Sequence, residues 1–173
     1  MENNLQERQS MMLDFKNHKL KIYMYWCLAI LWMAVIFWFS AQEADESSKM
    51  SSGLLMRIID FFGNLISDEE LDFEFLHLFI RKAAHFTIYG ILGTLVGQAA
   101  METWGKLRKA VGVGLKISFF YALSDELHQT MIAGRSGQLT DVLIDIAGAL
   151  VFLMIWALWR NSRSGGKALK AQA

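Results

Sequence analysis

The 173 residues contain no proline, a single cysteine and no net charge. Without proline every residue keeps the N–H that an α-helix needs, so nothing forces a kink or a stop. One cysteine, Cys27, excludes a disulfide or a cysteine-type zinc site within one chain. It lies inside an apolar run, where a thiol is an inert packing or membrane-facing group. The 17 Lys and Arg balance the 17 Asp and Glu, so no overall basic surface for nucleic acid is indicated. No small-residue cleavage site closely follows the first apolar run, which therefore reads as a retained anchor and not as a removed signal.

What is abundant is apolar. Hydrophobic residues make up 54% of the chain and aromatic residues 13%. They are gathered in long blocks, which is the pattern of a membrane protein. Four spans are expected: Ile22 to Phe39, Ala83 to Met101, Lys109 to Met131 and Leu139 to Trp159. Each approaches the roughly 20 residues that a bilayer core requires. Between the first two, Leu54, Leu55, Ile58, Ile59, Phe62 and Ile66 recur at helical spacing, as in a short amphipathic helix lying on the membrane surface. The run Ser67-Asp68-Glu69-Glu70 has the spacing of a capping box and is expected to start the second helix. The tail after Trp159 is basic and is expected to be disordered.

Orientation follows from the basic residues. Eleven Lys and Arg flank the spans at one side, in residues 1–21, the loop 102–109 and the tail 160–173. Five lie on the other, and Lys116 sits within the third span. The positive-inside rule then places both termini in the cytoplasm. The expected fold is an all-α membrane protein of four transmembrane helices plus a short extracytoplasmic amphipathic helix. Its parts are a cytoplasmic N-terminal segment (1–21), a four-helix transmembrane domain (22–159) and a basic cytoplasmic tail (160–173).

Polar residues inside the spans carry the functional signal. His85 is 16 residues from Met101, Asp125 is 16 from Lys109 and Asp145 is 14 from Trp159. At about 1.5 Å per residue, all three sit roughly 20–25 Å from the inner boundary. Three helices thus bring ionisable groups to one level in the outer half of the membrane. The faces agree: Arg81, His85 and Tyr89 form one stripe, Tyr121, Asp125 and Gln129 a second, and Asp141 and Asp145 a third. Charged groups at such depth are costly, about 2.5–3.5 kcal/mol each on insertion scales, and are expected to face one another or a water-filled cleft. The loop Gly134-Arg135-Ser136-Gly137 precedes the fourth span. There Arg135 and backbone N–H groups, with Arg81 and Lys82, would form an anion-binding rim.

Blander patterns compete with these. Ser124, Asp125 and His128 invite a triad reading, yet they come from one helix turn, and a triad needs its base between nucleophile and orienter. No dense metal motif of the H-E-x-x-H kind is present, so no metal site and no cofactor is assigned. A closed ion-paired network that only holds the helices together, with Gly93-x-x-x-Gly97 aiding close packing, is the structural alternative.

Three stretches, Phe39 to Gln42 (FSAQ), Arg81 to Gly93 (RKAAHFTIYGILG) and Ser124 to Leu150 (SDELHQTMIAGRSGQLTDVLIDIAGAL), strongly resemble the VanZ-like family of bacterial membrane proteins. The resemblance spans about Ile22 to Trp159. It implies a four-helical integral membrane protein of the bacterial cell membrane. The family's namesake is associated with low-level resistance to the glycopeptide teicoplanin. By position, the family's characteristic polar residues are Arg81, Lys82, His85 and Tyr89, then Asp125, Glu126, His128 and Gln129, then Arg135, Asp141 and Asp145. An acidic residue is common beside the tyrosine in the family, whereas Thr87-Ile88 precede Tyr89 here. Taken together, the expected function is an outward-facing polar site that binds or modifies an anionic cell-envelope or lipid-linked molecule. Its partner would be a membrane lipid or a cell-wall precursor, and His85, Asp125, Glu126, His128, Asp141 and Asp145 would be its chemical groups. The alternative is a non-enzymatic scaffold.

Overall fold

The computed structural model describes residues 2–42, 73–135 and 137–170, with the isolated positions 53 and 57. Among the described residues there are four helices and no strand: α1 (Glu2–Ser40), α2 (Phe73–Trp104), α3 (Leu107–Gln129) and α4 (Leu139–Lys170). The expected surface helix around Leu54 to Ile66 and the capping box at Ser67 lie outside the described residues. Residues 2–21 continue the helix of the first apolar run. The tail departs from its expected disorder. The backbone of α4 stays helical to Lys170. Extending a formed helix adds a hydrogen bond for each residue fixed, whereas starting one does not.

Two helices, over Gln6–Ser40 and Leu139–Arg163, are long and apolar enough to cross a membrane. Only 11% and 33% of their most apolar windows are buried, which is unlike the core helix of a soluble protein. Leu31, Phe37, Trp38, Leu143, Ile155 and Leu158 stand exposed around them. With 32 and 23 residues, α2 and α3 match a bilayer in length, but they carry the polar groups.

The second helix, α2, is central and touches the other three, while α1 scarcely meets α3. The contact surfaces are made of small residues, as expected where burial in lipid gives no drive to associate. A Cβ on Gly93 would come within 3.2 Å of the Ala149 side chain, and one on Gly114 within 2.8 Å of the Gly93 carbonyl oxygen. Position 148 is tighter still, because a Cβ there would overlap the Phe86 carbonyl oxygen. Gly105, in the left-handed region with φ 64°, ends α2 and turns the chain into α3, its N–H donating to Met101 O at 2.8 Å.

At the Trp104 end, a polar node that the apolar pattern concealed ties α2 to α4. Gln98 Oε1 accepts from Trp156 Nε1 at 3.1 Å and from Arg160 Nη1 at 3.2 Å, and Gln98 Nε2 donates to Glu102 Oε1 at 2.8 Å. The signal in sequence was the pair Gln98 and Glu102, four residues apart near the end of an otherwise apolar helix.

Candidate functional site

At the opposite end of the bundle, α2, α3 and α4 bring their polar residues together. Asp145 is fully buried, and its Oδ1 meets His85 Nδ1 at 3.3 Å. This contact engages Nδ1 of the imidazole and leaves Nε2 without a partner among the described residues. One turn earlier on both helices, Lys82 Nζ donates to Asp141 Oδ1 at 2.9 Å. On α3, Gln129 Nε2 donates to Asp125 Oδ2 at 3.2 Å, with both residues buried. Tyr89 is wholly buried and its hydroxyl faces Asp125 and Asp145 without completing a hydrogen bond. The ionisable groups of three helices therefore form one cluster, with its carboxylates on α3 and α4.

Other residues from the expected set have structural duties. Glu126 Oε2 accepts the Gln138 N–H at 2.7 Å, so this carboxylate holds the chain at the start of α4. Gly137 fits because a Cβ would press on Glu126 O at 2.8 Å and Thr130 Cγ2 at 2.7 Å. His128 turns its ring onto Phe37 of α1, with centroids 4.6 Å apart. Ser124 Oγ donates to the carbonyl of Tyr121 at 2.8 Å and not to His128, so no triad forms.

Arg135 departs most from its expected role. Its Nη1 donates to the Ser40 carbonyl at 2.8 Å, with longer contacts to Gln42 O at 3.3 Å and Phe39 O at 3.4 Å. These carbonyls lie at and just beyond the end of α1, where the helix runs out of N–H donors; of the three, Phe39 O also accepts the Gln42 N–H at 3.4 Å. Arg135 thus acts as a clamp on α1, and Gly134 (φ 74°) makes the turn that aims it there. Burial lowers its pKa first, and nearby Arg81 adds to that, while Asp125, Glu126 and Asp141 oppose. An arginine stays protonated under these influences. Replacing it with alanine is expected to free the end of α1 at a cost of about 1.5 kcal/mol, the value of a charged hydrogen bond. Amide exchange at residues 39–42 should then rise about tenfold.

The rim cation left over is Arg81. It is half-buried, lies close enough to Arg135 to repel it, and has no hydrogen bond or ion pair among the described residues. Below it, Asp145 Oδ2, Glu126 Oε1 and Gln129 Oε1 are buried acceptors with no donor, together with the Tyr89 hydroxyl. Among the described residues, no three His, Cys, Asp or Glu side chains converge closely enough to hold a metal ion. The arrangement is thus a cup with a free cation at its lip and unsatisfied oxygen acceptors inside.

Comparison with family models supplies the identity. The model for VanZ/LLP1 matches residues 25–160, which include the cup-forming parts of α2, α3 and α4 and the end of α1. The chain belongs to the VanZ/LLP1 family. Membership and the two apolar helices together mark it as a VanZ-like membrane protein. No curated protein and no solved structure matched the chain. The matched region opens within α1 and closes at Arg160, so the helical extensions at both ends lie outside what defines the family.

Proposed function

We propose that this VanZ-like protein crosses the bacterial cell membrane four times, with both termini in the cytoplasm and the cup opening outward. The cup engages an anionic cell-envelope or lipid-linked molecule, and through it the protein contributes to glycopeptide tolerance. The observation that carries this reading is the set of buried oxygens without donors beneath an unpaired Arg81. Buried acceptors left unpaired cost about 1–3 kcal/mol each. A headgroup that offers an anionic group to Arg81 and hydroxyl or amide donors to Asp145, Glu126 and Gln129 would relieve both deficits. His85 Nε2, with the ring oriented by Asp145, is then the group placed to take or give a proton. The topology rests on the eleven-to-five division of basic residues and on the lengths of α2 and α3.

A second reading has its own support. Lys82–Asp141 and His85–Asp145 join α2 to α4, and Arg135 ties the loop to α1. Such bonds alone would make the cluster a structural staple in a non-enzymatic scaffold. The two readings separate in a susceptible bacterial host carrying Asp125→Ala or Arg81→Ala. With membrane abundance and teicoplanin tolerance measured together, the ligand reading expects normal abundance with tolerance at the host's baseline. If tolerance falls only in proportion to abundance, the scaffold reading is correct.

A further inference from the structure

A second polar feature lies away from the cup, on the lipid-facing side of α3. Lys109, Gly112, Lys116, Phe120 and Ser124 fall on one face at helical spacing. Lys116 is exposed in the middle of this apolar helix and has no ion pair or hydrogen bond among the described residues. Beside it runs a groove of about 300 Å³, lined by Met33, Lys116, Ile117, Phe120, Tyr121 and Ser124. The polar atoms of its wall are already satisfied: Tyr121 Oη donates to Met33 O at 2.6 Å, and Ser124 Oγ to Tyr121 O at 2.8 Å. What remains is an apolar trough with one uncompensated cation.

Toward the Trp104 end, the stripe continues through Gly112, where a Cβ would meet nothing within 4 Å. Beyond this notch, the Lys109 ammonium rests 4.2 Å from the Trp104 ring centroid, the pairing expected at a membrane interface. Lys109 and Lys116 therefore bracket open space along about 10 Å of helix. From Gly112 to Ser124 is about 18 Å, close to the roughly 15 Å depth of one leaflet's hydrocarbon.

We propose that this face is a binding site for an anionic phospholipid, its phosphate held between Lys109 and Lys116 at the Gly112 notch and an acyl chain lying along Phe120 toward Ser124. The proposal rests on α3 crossing the membrane and is independent of what the cup holds. A second copy of the chain fits the face poorly. No acidic residue occurs in 22–39, 107–124 or 146–159, so a facing copy would bring no carboxylate to this depth, and a symmetric one would set lysine against lysine.

The test uses the full chain purified in nonionic detergent and offered phosphatidylglycerol or phosphatidylcholine, with retained lipid counted by native mass spectrometry. The wild type should retain phosphatidylglycerol preferentially. Lys116→Gln should lower that preference about fivefold, the effect of one near-surface cation. Arg163→Gln, which removes a cation from α4 at the same end, should leave it unchanged. Equal retention of both lipids by the wild type would overturn the site, as would a Lys116→Gln protein that behaves like wild type. An equal loss in Arg163→Gln would also sink it, by showing diffuse attraction only. Should Lys116→Gln change only the monomer–dimer ratio, the face is a protein contact and the proposal is wrong. Retention of neither lipid would overturn the site as well.

Discussion

Gly148→Leu is expected to leave no folded protein in the membrane, and even Gly148→Ala should lower stability by about 3 kcal/mol, the upper range for overpacking. A Cβ at this position runs into the carbonyl oxygen, carbonyl carbon and Cα of Phe86. All three are backbone atoms, so no rotamer change relieves the overlap, and α4 must move away from α2. That displacement acts on the site directly, because Phe86 follows His85 and Gly148 lies one turn from Asp145. The His85–Asp145 contact at 3.3 Å depends on this close approach. Gly112→Ala is the matching control. Open space surrounds that position, and alanine is the better helix former by about 1 kcal/mol. Unfolding of both variants in a mixed-detergent titration measures the contrast. Comparable stability for the two would mean that α2 and α4 do not approach as described.

The second large effect is expected from a double-mutant cycle across the cup. His85→Leu leaves the Asp145 carboxyl fully buried with both oxygens unpaired, which should cost about 3 kcal/mol, as breaking buried pairs does. Combining it with Asp145→Leu removes the stranded group and should restore stability to within about 1 kcal/mol of wild type, since apolar replacements of buried pairs are often neutral. Function should behave differently. Glycopeptide tolerance is expected to stay at the host's baseline in both single variants and in the restored double variant. A double variant that regains tolerance along with stability would show that the pair only joins α2 to α4.

Much of this site was legible in the sequence for a geometric reason. A helix rises by a constant amount per residue, so counting from the ends of the apolar blocks gave His85, Asp125 and Asp145 a common level. The facing stripes were legible too, since side chains three and four apart share a helix face. The pairings were not. Lys82 is off the Arg81–His85–Tyr89 stripe, yet it holds Asp141. Asp125 is held by Gln129 of its own helix, while Asp145 takes the histidine. Glu126 and Arg135 were expected in the site's chemistry; Glu126 leaves only Oε1 to the cup while its Oε2 holds the start of α4, and Arg135 holds the end of α1. Neither role is encoded locally, because both depend on where another helix ends.

The sequence by itself determined that the chain is helical, that its apolar blocks suit a membrane, and which ionisable groups share a level along the helices. These follow from one-dimensional counting along stiff, proline-free helices. Only the tertiary structure decided which groups pair, which acceptors stay empty and which cation stays free at the lip. Those outcomes depend on how each helix is rotated about its axis and how near its neighbours come. That nearness is set where Gly93, Gly114 and Gly148 let backbones meet, at contacts between residues far apart in the chain.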